Sequence, residues 1–401
     1  MIRQSVLLLL CIATRVNQPA SPVNQPVSGV NQSASRVNQP TPGVNQPTPR
    51  VNRDARPDYS ARIQKLYNAI ETRLADKKTG LYIETTDTAH NEHPHSYMWP
   101  LCAYIQAANE MEAAETNPAH PVNPANPANS YMAPVLTAID QYYNDEPPAP
   151  GYGAYVTKEK KDTRYYDDNQ WIAIADLDAY NRTHQQKYLD QAELIDRFMM
   201  TGLDTVSGGG FYWREGDKSS KNTCSNGPGI LIALQLYKIT HKKEYLNTAL
   251  AVYAWTNKWL ESPEGVYYDN IRIPSLKISK ATYTYNTGTM LQANVLLYGI
   301  TKDEKYLTEA KRVAAAGKQH FFKDGRLPGN YWFNAVFLRG YEALYQIDHN
   351  RDWIDFFVQD AEAVWNTRDA ATDMVGPKPA KSLIDQAAMI EIYARLAAIK
   401  L

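Results

Sequence analysis

The sequence predicts an all-α fold, an (α/α)6 barrel of six inner and six outer helices, and two observations carry that prediction. Four times a tyrosine near one helix end is followed eight residues later by an aromatic near the start of the next: Tyr180/Tyr188, Tyr237/Tyr245, Tyr298/Tyr306 and Tyr345/Trp353. The segments between them, NRTHQQK, KITHKKE, GITKDEK and QIDHNRD, are short, polar and alike, so each reads as a tight helix–helix turn. Successive units are offset by 57, 61 and 47 residues, the length of a helix pair. The second observation is that the two helices of a pair differ in kind. Those before the turn are apolar almost all round, as in Trp171 to Tyr180 and Ile230 to Tyr237, whereas those after it are amphipathic, as in Lys187 to Phe198. The first kind is expected to be buried and the second half-exposed.

In chain order the pattern places helices at 59–75, 97–115, 131–145, 167–182, 185–202, 226–240, 242–262, 285–300, 302–320, 330–347, 350–367 and 381–399, alternating between the two kinds. An open solenoid of helix pairs is the structural competitor. Closure is favoured because the inner helices are too apolar to line an exposed concave surface and the last pair carries no polar cap. A closed barrel also accounts for one domain, residues 58–401, above the usual size of a single core.

Two segments precede that domain. Residues 1–15 join Arg3 to the run Ser5 to Ala13, a positive start and a short apolar stretch that resemble the front of an export signal, without a following A-x-A site. Cys11, after the leucines, is a candidate lipid anchor. Residues 16–57 repeat VNQP-like heptads with valine at 16, 23, 30, 37, 44 and 51. Only one position in seven is apolar and proline is frequent, so no coiled-coil seam can form and a disordered tether is expected. Export to the cell envelope or medium follows as the expected localisation.

Charge excludes some functions. Residues 1–57 hold six arginines against one aspartate, leaving 36 basic and 42 acidic residues in 58–401. Such a body lacks the concentrated basic surface that nucleic acid requires. No apolar run approaches the roughly 20 residues of a membrane span. Cys102 and Cys224 give neither a disulfide framework nor zinc-type spacing, and His93 and His95 lack further ligands, so no metal and no cofactor are expected.

Turns from inner to outer helices are short, and connections from outer to inner are long: roughly 76–96, 146–166, 203–225, 263–284, 321–329 and 368–380. The long loops therefore share one face, where function concentrates on a rigid scaffold. They carry much of the aromatic content, including Trp99, Tyr152, Tyr155, Tyr165, Tyr166, Tyr212, Trp213, Tyr285 and Trp332. One loop, residues 117–129, falls on the opposite face and reads as a surface insertion.

The sharpest signal on that face is Tyr165-Tyr166-Asp167-Asp168-Asn169-Gln170-Trp171. Asp167 with Gln170 fits a capping box, and acids favour a helix N-terminus. The other reading is catalytic. Adjacent Cα atoms lie about 3.8 Å apart, so both carboxyls can reach one bond. Like charges so close cannot both ionise freely, which sets an acid beside a base. Carboxyls about 5–5.5 Å apart are the arrangement of retaining glycoside hydrolysis.

Four motifs resemble glycoside hydrolase family 76, the bacterial endo-α-1,6-mannanases and their fungal cell-wall relatives. They are Tyr166-Asp167-Asp168-Asn169-Gln170-Trp171, Gly209-Gly210-Phe211-Tyr212-Trp213, Lys221-Asn222-Thr223-Cys224-Ser225-Asn226-Gly227-Pro228 and Tyr285-Asn286-Thr287-Gly288-Thr289. They stand in the family's order, over most of residues 58–401, with Thr287 where many members carry glutamine. The resemblance implies an (α/α)6 barrel that cleaves α-1,6-mannosidic bonds with retention, Asp167 acting as nucleophile and Asp168 as general acid/base. The expected partner is α-mannan or a mannooligosaccharide, bound by a monomer.

Softer candidates for substrate binding are Trp99, Asn169, Tyr212, Trp213, Asn222, Asn226, Asp269, Tyr285 and Asn286. For the aromatics the alternative is a plug beneath their own loop. For Asn222 and Asn226 it is loop geometry, since Asn226-Gly227-Pro228 also reads as a helix-start turn. Cys224 is read as packing. A transglycosylase, a non-catalytic glycan-binding barrel and a protein-binding solenoid stay open as alternatives.

Overall fold

Helices that are apolar on every side must be covered on every side, and the inner set is arranged to do that. The set comprises α2 (Met98–Glu115), α4 (Tyr166–Thr183), α6 (Thr223–Thr240), α8 (Thr284–Thr301), α10 (Tyr331–Asp348) and α12 (Leu383–Ala398). In the computed structural model, which describes residues 57–115 and 130–399, each packs against the next, and α12 returns to α2. That contact closes the ring, so the barrel prediction holds and the open solenoid does not. The outer set is α1 (Tyr59–Arg73), α3 (Met132–Ile139), α5 (Gln186–Met200), α7 (Lys243–Leu260), α9 (Glu304–Phe321) and α11 (Asp355–Asn366). Here α3, α5, α7 and α9 lie on the inner helix that precedes them, while α1 and α11 lie on α12. The expected export signal, the tether up to residue 56 and the insertion at 117–129 lie outside the described residues.

The repeated turn has a chemical basis. α4, α6, α8 and α10 are each followed by a left-handed residue, His184, His241, Lys302 and His349, with φ between 53° and 58°. Each donates its N–H to the tyrosine carbonyl four residues back, over 2.8 Å, an αL cap. Thr183, Thr240 and Thr301 accept from the N–H two residues on, and Asp348 does the same in the fourth copy. The three histidine rings meet the edges of Tyr180, Tyr237 and Tyr345. These contacts explain why the four segments look alike.

Close approach of inner helices sets the barrel's radius. A Cβ on Gly288 would stand 2.6 Å from Phe337 Cα, and one on Gly340 would stand 2.5 Å from the Gly288 carbonyl oxygen. α8 and α10 therefore touch backbone to backbone, which only glycine permits. At the opposite end from the long loops, Arg395 binds Glu391, Glu342 and Glu110 at 2.8, 2.8 and 2.9 Å. Arg339 adds a second guanidinium on Glu391 at 2.6 Å. This network joins α2, α10 and α12 where the ring closes.

Three predicted helices differ in extent, and the one expected at 350–367 starts as α-helix only at Asp355, after a 3-10 turn at Arg351–Trp353. The segment expected at 131–145 ends as helix at Ile139, continues as a 3-10 turn to Tyr142, and becomes extended at Tyr143, which pairs with Tyr152. α6 starts at Thr223, ahead of the expected 226, because the Asn226 side chain donates to Asn222 O at 2.7 Å and fixes that first turn. The long loops also hold strands that the helical reading did not anticipate. β1 (Ala75–Asp76) pairs with β2 (Leu81–Tyr82), and β3 (Tyr143–Asn144) with β4 (Gly151–Tyr152). An antiparallel sheet runs β5 (Tyr212–Arg214), β6 (Asp217–Asn222), β7 (Tyr268–Arg272), β8 (Ile278–Thr282). Its β6–β7 seam joins the loop before α6 to the loop before α8.

Candidate active site

Asp167 and Asp168 are the second and third residues of α4, whose N-cap is Tyr165 with no side-chain capping bond. The capping-box reading therefore fails: the cap lies two residues earlier, and the Gln170 amide contacts the Met199 sulfur instead. What surrounds the two carboxyls is aromatic and thiol. Trp213 Nε1 donates to Asp167 Oδ2 at 3.3 Å. Tyr165 packs its ring on Trp213, with centroids 4.9 Å apart, and its main chain bridges to Arg214. Asp167 Oδ1 is buried and takes no N–H or O–H hydrogen bond from the protein. The Cys224 thiol, at the start of α6, is presented to this carboxyl. On the other side the Cys102 thiol of α2 donates to the Asp168 carbonyl at 3.2 Å. Both described cysteines are free and buried, one on each flank of the tandem.

The electrostatics follow from that enclosure. Burial raises the Asp167 carboxyl, opposed by the hydrogen bonds from Cys224 and Trp213. Burial raises Asp168 further, and the Asp167 charge adds to it. The pair thus separates into a more acidic member with donors and a less acidic member without them. Cys102, Cys224 and Tyr285 all feel the Asp167 charge, and burial holds each of them in its protonated form. Asp269 lies beyond Cys224 and Tyr285; burial raises it, against a 2.7 Å bond from Asn270.

The other predicted site residues divide by what their polar atoms do. Asn169 is spent: it binds the Tyr152 N–H and carbonyl at 2.7 and 3.0 Å and the Tyr165 carbonyl at 2.8 Å. Asn226 is spent likewise on both main-chain groups of Phe211. Tyr212 gives its hydroxyl to Asp204 and lies under Lys221, so it plugs its own loop. In place of sugar contacts, these three hold the loops that carry the site. Asn222 Oδ1 and both amide atoms of Asn286 are buried and unpartnered, which leaves them free for a ligand's hydroxyls. Trp99 is half-buried with its edge to Trp332, which in turn meets Trp171. Tyr285 stacks on Phe333 at 4.0 Å.

The sequence places Trp332 among the aromatics of the long-loop face and Lys221 inside a motif, and gives Cys102 no pairing, but it marks none of the three as a site residue and reads Cys224 as packing. Cys102 had a signal: three residues after Trp99, it shares that residue's helical face. The indole N–H of Trp332 is buried without a partner. Among the described residues no group of three or more histidine, cysteine or acidic side chains is disposed to hold a metal. His95 instead clasps two loops, Nδ1 lying 2.7 Å from Glu159 and Nε2 3.4 Å from Asp76.

Comparison with known proteins bears on the fold and the family. The model of glycosyl hydrolase family 76 matches residues 61–398. The mannan endo-1,6-alpha-mannosidase DCW1 of Saccharomyces cerevisiae is 29% identical over 43% of this chain and 41% of its own length; the chain spans about two fifths of the curated relatives it matches. A family 76 glycoside hydrolase (mannosidase) from Bacteroides thetaiotaomicron superposes with a TM-score of 0.76 at 26% identity, over 84% of this chain and 98% of that one. The α-1,6-mannanase of Salegentibacter shares the fold, with a TM-score of 0.71 at 22% identity over 85% and 99% of the two chains.

Proposed function

The chain belongs to glycosyl hydrolase family 76, and we propose that it cleaves α-1,6-mannosidic bonds in mannan-type polysaccharide with retention of configuration. The observation that carries this reading is the division of labour within the tandem. Asp167 has the donors, the helix N-terminus and an oxygen free of N–H and O–H bonds, as a nucleophilic carboxylate needs. Asp168 is raised further by burial and by its neighbour's charge, as suits a group that must hold a proton in the substrate complex.

In the first step Asp167 Oδ1 attacks the anomeric carbon while Asp168 gives its proton to the departing glycosidic oxygen. A glycosyl ester on Asp167 results, and Asp168 is left ionised. In the second step Asp168 takes a proton from water, the hydroxide attacks the same carbon, and Asp167 leaves as carboxylate. Two inversions leave the configuration unchanged. Trp99, Trp213 and Tyr285 offer faces or edges to sugar rings, and Asn222, Asn286 and Asp269 offer hydrogen bonds to hydroxyls. Relatives named as endo-1,6-alpha-mannosidases support the choice of linkage. On the same reading the protein is exported and meets mannan or mannooligosaccharides at the cell envelope or beyond it.

The test is a proton NMR time course of the full chain on unbranched α-1,6-mannan. The reading predicts that the α anomer of the new reducing end appears first and mutarotates later. Initial release of the β anomer would contradict retention, and no release at all would contradict the substrate.

A further inference from the structure

Lys221 is fully buried: its side chain has 0% exposure. A charged amine is enclosed in this way only when every donor is used, and here each is. Nζ donates to Asp204 Oδ1 at 2.7 Å, to Val206 O at 2.8 Å and to Gly209 O at 2.6 Å. The Tyr212 ring lies 4.5 Å from Nζ and the Trp255 ring 5.8 Å. All three acceptors belong to the loop between α5 and β5. The same loop takes indole N–H bonds from Trp255 and Trp259, both on Ser207 O at 3.1 Å. At its end Gly210, with φ +82°, passes so close to Trp255 that a Cβ would stand 2.6 Å from the ring.

This loop leads straight into the strand that touches the tandem. Gly209 is followed by Gly210, Phe211, Tyr212 and Trp213, and Tyr212 is the register partner of Lys221 across β5–β6. Asn226 fixes Phe211 from the barrel side, and Lys221 fixes the outer side. Between these two anchors the strand has little freedom, and Trp213 projects from it to Asp167.

We propose that Lys221 is a positioning residue, whose buried ammonium holds the 204–209 loop and thereby sets Trp213 against Asp167. It touches neither aspartate. This proposal rests on the catalytic reading given above, although the linkage itself does not need a substrate to be seen. The groups facing Asp167 from neighbouring elements are Asp168 on α4, Cys102 on α2, Cys224 on α6 and Tyr285 on α8, with Asp269 of β7 behind the last two. A change at Lys221 alters none of them directly; Cys224 stands only three residues further along the chain, so the Trp213 indole is the readout that isolates the route through the loop.

The experiment compares the full chain with Lys221→Met, Trp213→Phe and the double variant. Methionine fills much of the lysine volume and removes the three donors. In the first readout, ¹⁵N-labelled tryptophan reports the Trp213 indole, assigned by its loss in Trp213→Phe, as pH is varied. The wild-type signal moves as Asp167 titrates, and in Lys221→Met it is displaced and flattened. In the second, kcat on α-1,6-mannan falls by up to about tenfold in Lys221→Met, no more than the loss expected for Trp213→Phe itself, with KM little changed. The double variant is no slower than the slower single variant, since both remove the same contact. An unchanged indole titration in folded Lys221→Met, or losses that multiply in the double variant, would overturn the proposal. If wild type releases no sugar while the indole signal still responds to Lys221→Met, the positioning role stands and the substrate reading falls.

Discussion

The indole N–H of Trp213 donates to Asp167 across 3.3 Å, from a strand outside the barrel to the first turn of a helix inside it. This bond favours the charged carboxylate, against the burial that disfavours it. The sign is therefore fixed. Removing the donor in Trp213→Phe raises the Asp167 pKa, so the acidic limb of the pH–rate profile moves to higher pH. A loss of about tenfold in kcat at neutral pH is expected, corresponding to about 1.4 kcal/mol. A profile with its acidic limb unmoved would mean that the bond does not act on the Asp167 carboxyl.

Asp168 carries a cost to the fold. Its folded-state pKa is raised above the unfolded value, so the native protein holds this proton more tightly. Stability is fully present below the unfolded value of about 3.9 and is lost as pH rises from there through the folded pKa. Asp168→Asn removes the ionisation and should melt higher than wild type at pH 8. The difference should shrink toward pH 4. Calorimetric scans across that range check both parts, and equal melting temperatures at pH 8 would contradict the expected cost.

Glycines in α8 separate two effects. Gly288→Ala drives a methyl into the α10 backbone and should destabilise the chain by about 1–3 kcal/mol. At Gly299, in the last turn of the same helix, an added Cβ would meet no atom within 4 Å, and φ is not positive. There the helix preference of alanine acts alone, and Gly299→Ala should stabilise by about 0.5–1 kcal/mol. Denaturant melts of the two variants should move in opposite directions.

Arg395 serves three carboxylates at the base of the barrel. Arg395→Met leaves Glu110 and Glu391 buried beside fewer positive charges, and removing one partner of such a network costs about 3–5 kcal/mol. The Asp167–Asp168 tandem lies at the other end of the helices. The variant should therefore lose melting temperature while its KM stays near that of wild type at a temperature where it is folded. A selective rise in KM with no change in melting would contradict a purely structural role.

The barrel was legible in the sequence because the repeated turn is a local signal: a tyrosine, a Thr or Asp, and a left-handed His or Lys recur within a few residues of one another. The Asp tandem was legible because it is contiguous. The β5–β8 sheet was not, since its strands have three to six residues and its middle seam pairs Lys221 with Ile271, fifty residues away. The same distance hid the division among the asparagines. Asn169 and Asn226 look like Asn222 and Asn286 in sequence, and only the fold shows that the first two are spent on the Tyr152 and Phe211 main chains. Cys224 was read as packing because its neighbour Asp167 stands 57 residues earlier on another helix.

The central claim is that Asp167 and Asp168 together perform the cleavage. Its most direct measurement follows new reducing ends from unbranched α-1,6-mannan with the wild-type chain, Asp167→Asn and Asp168→Asn, each shown to be folded. Release by wild type is predicted, with a loss on the order of 10²–10⁴-fold or more in each variant. Release by either variant at the wild-type rate would contradict the claim.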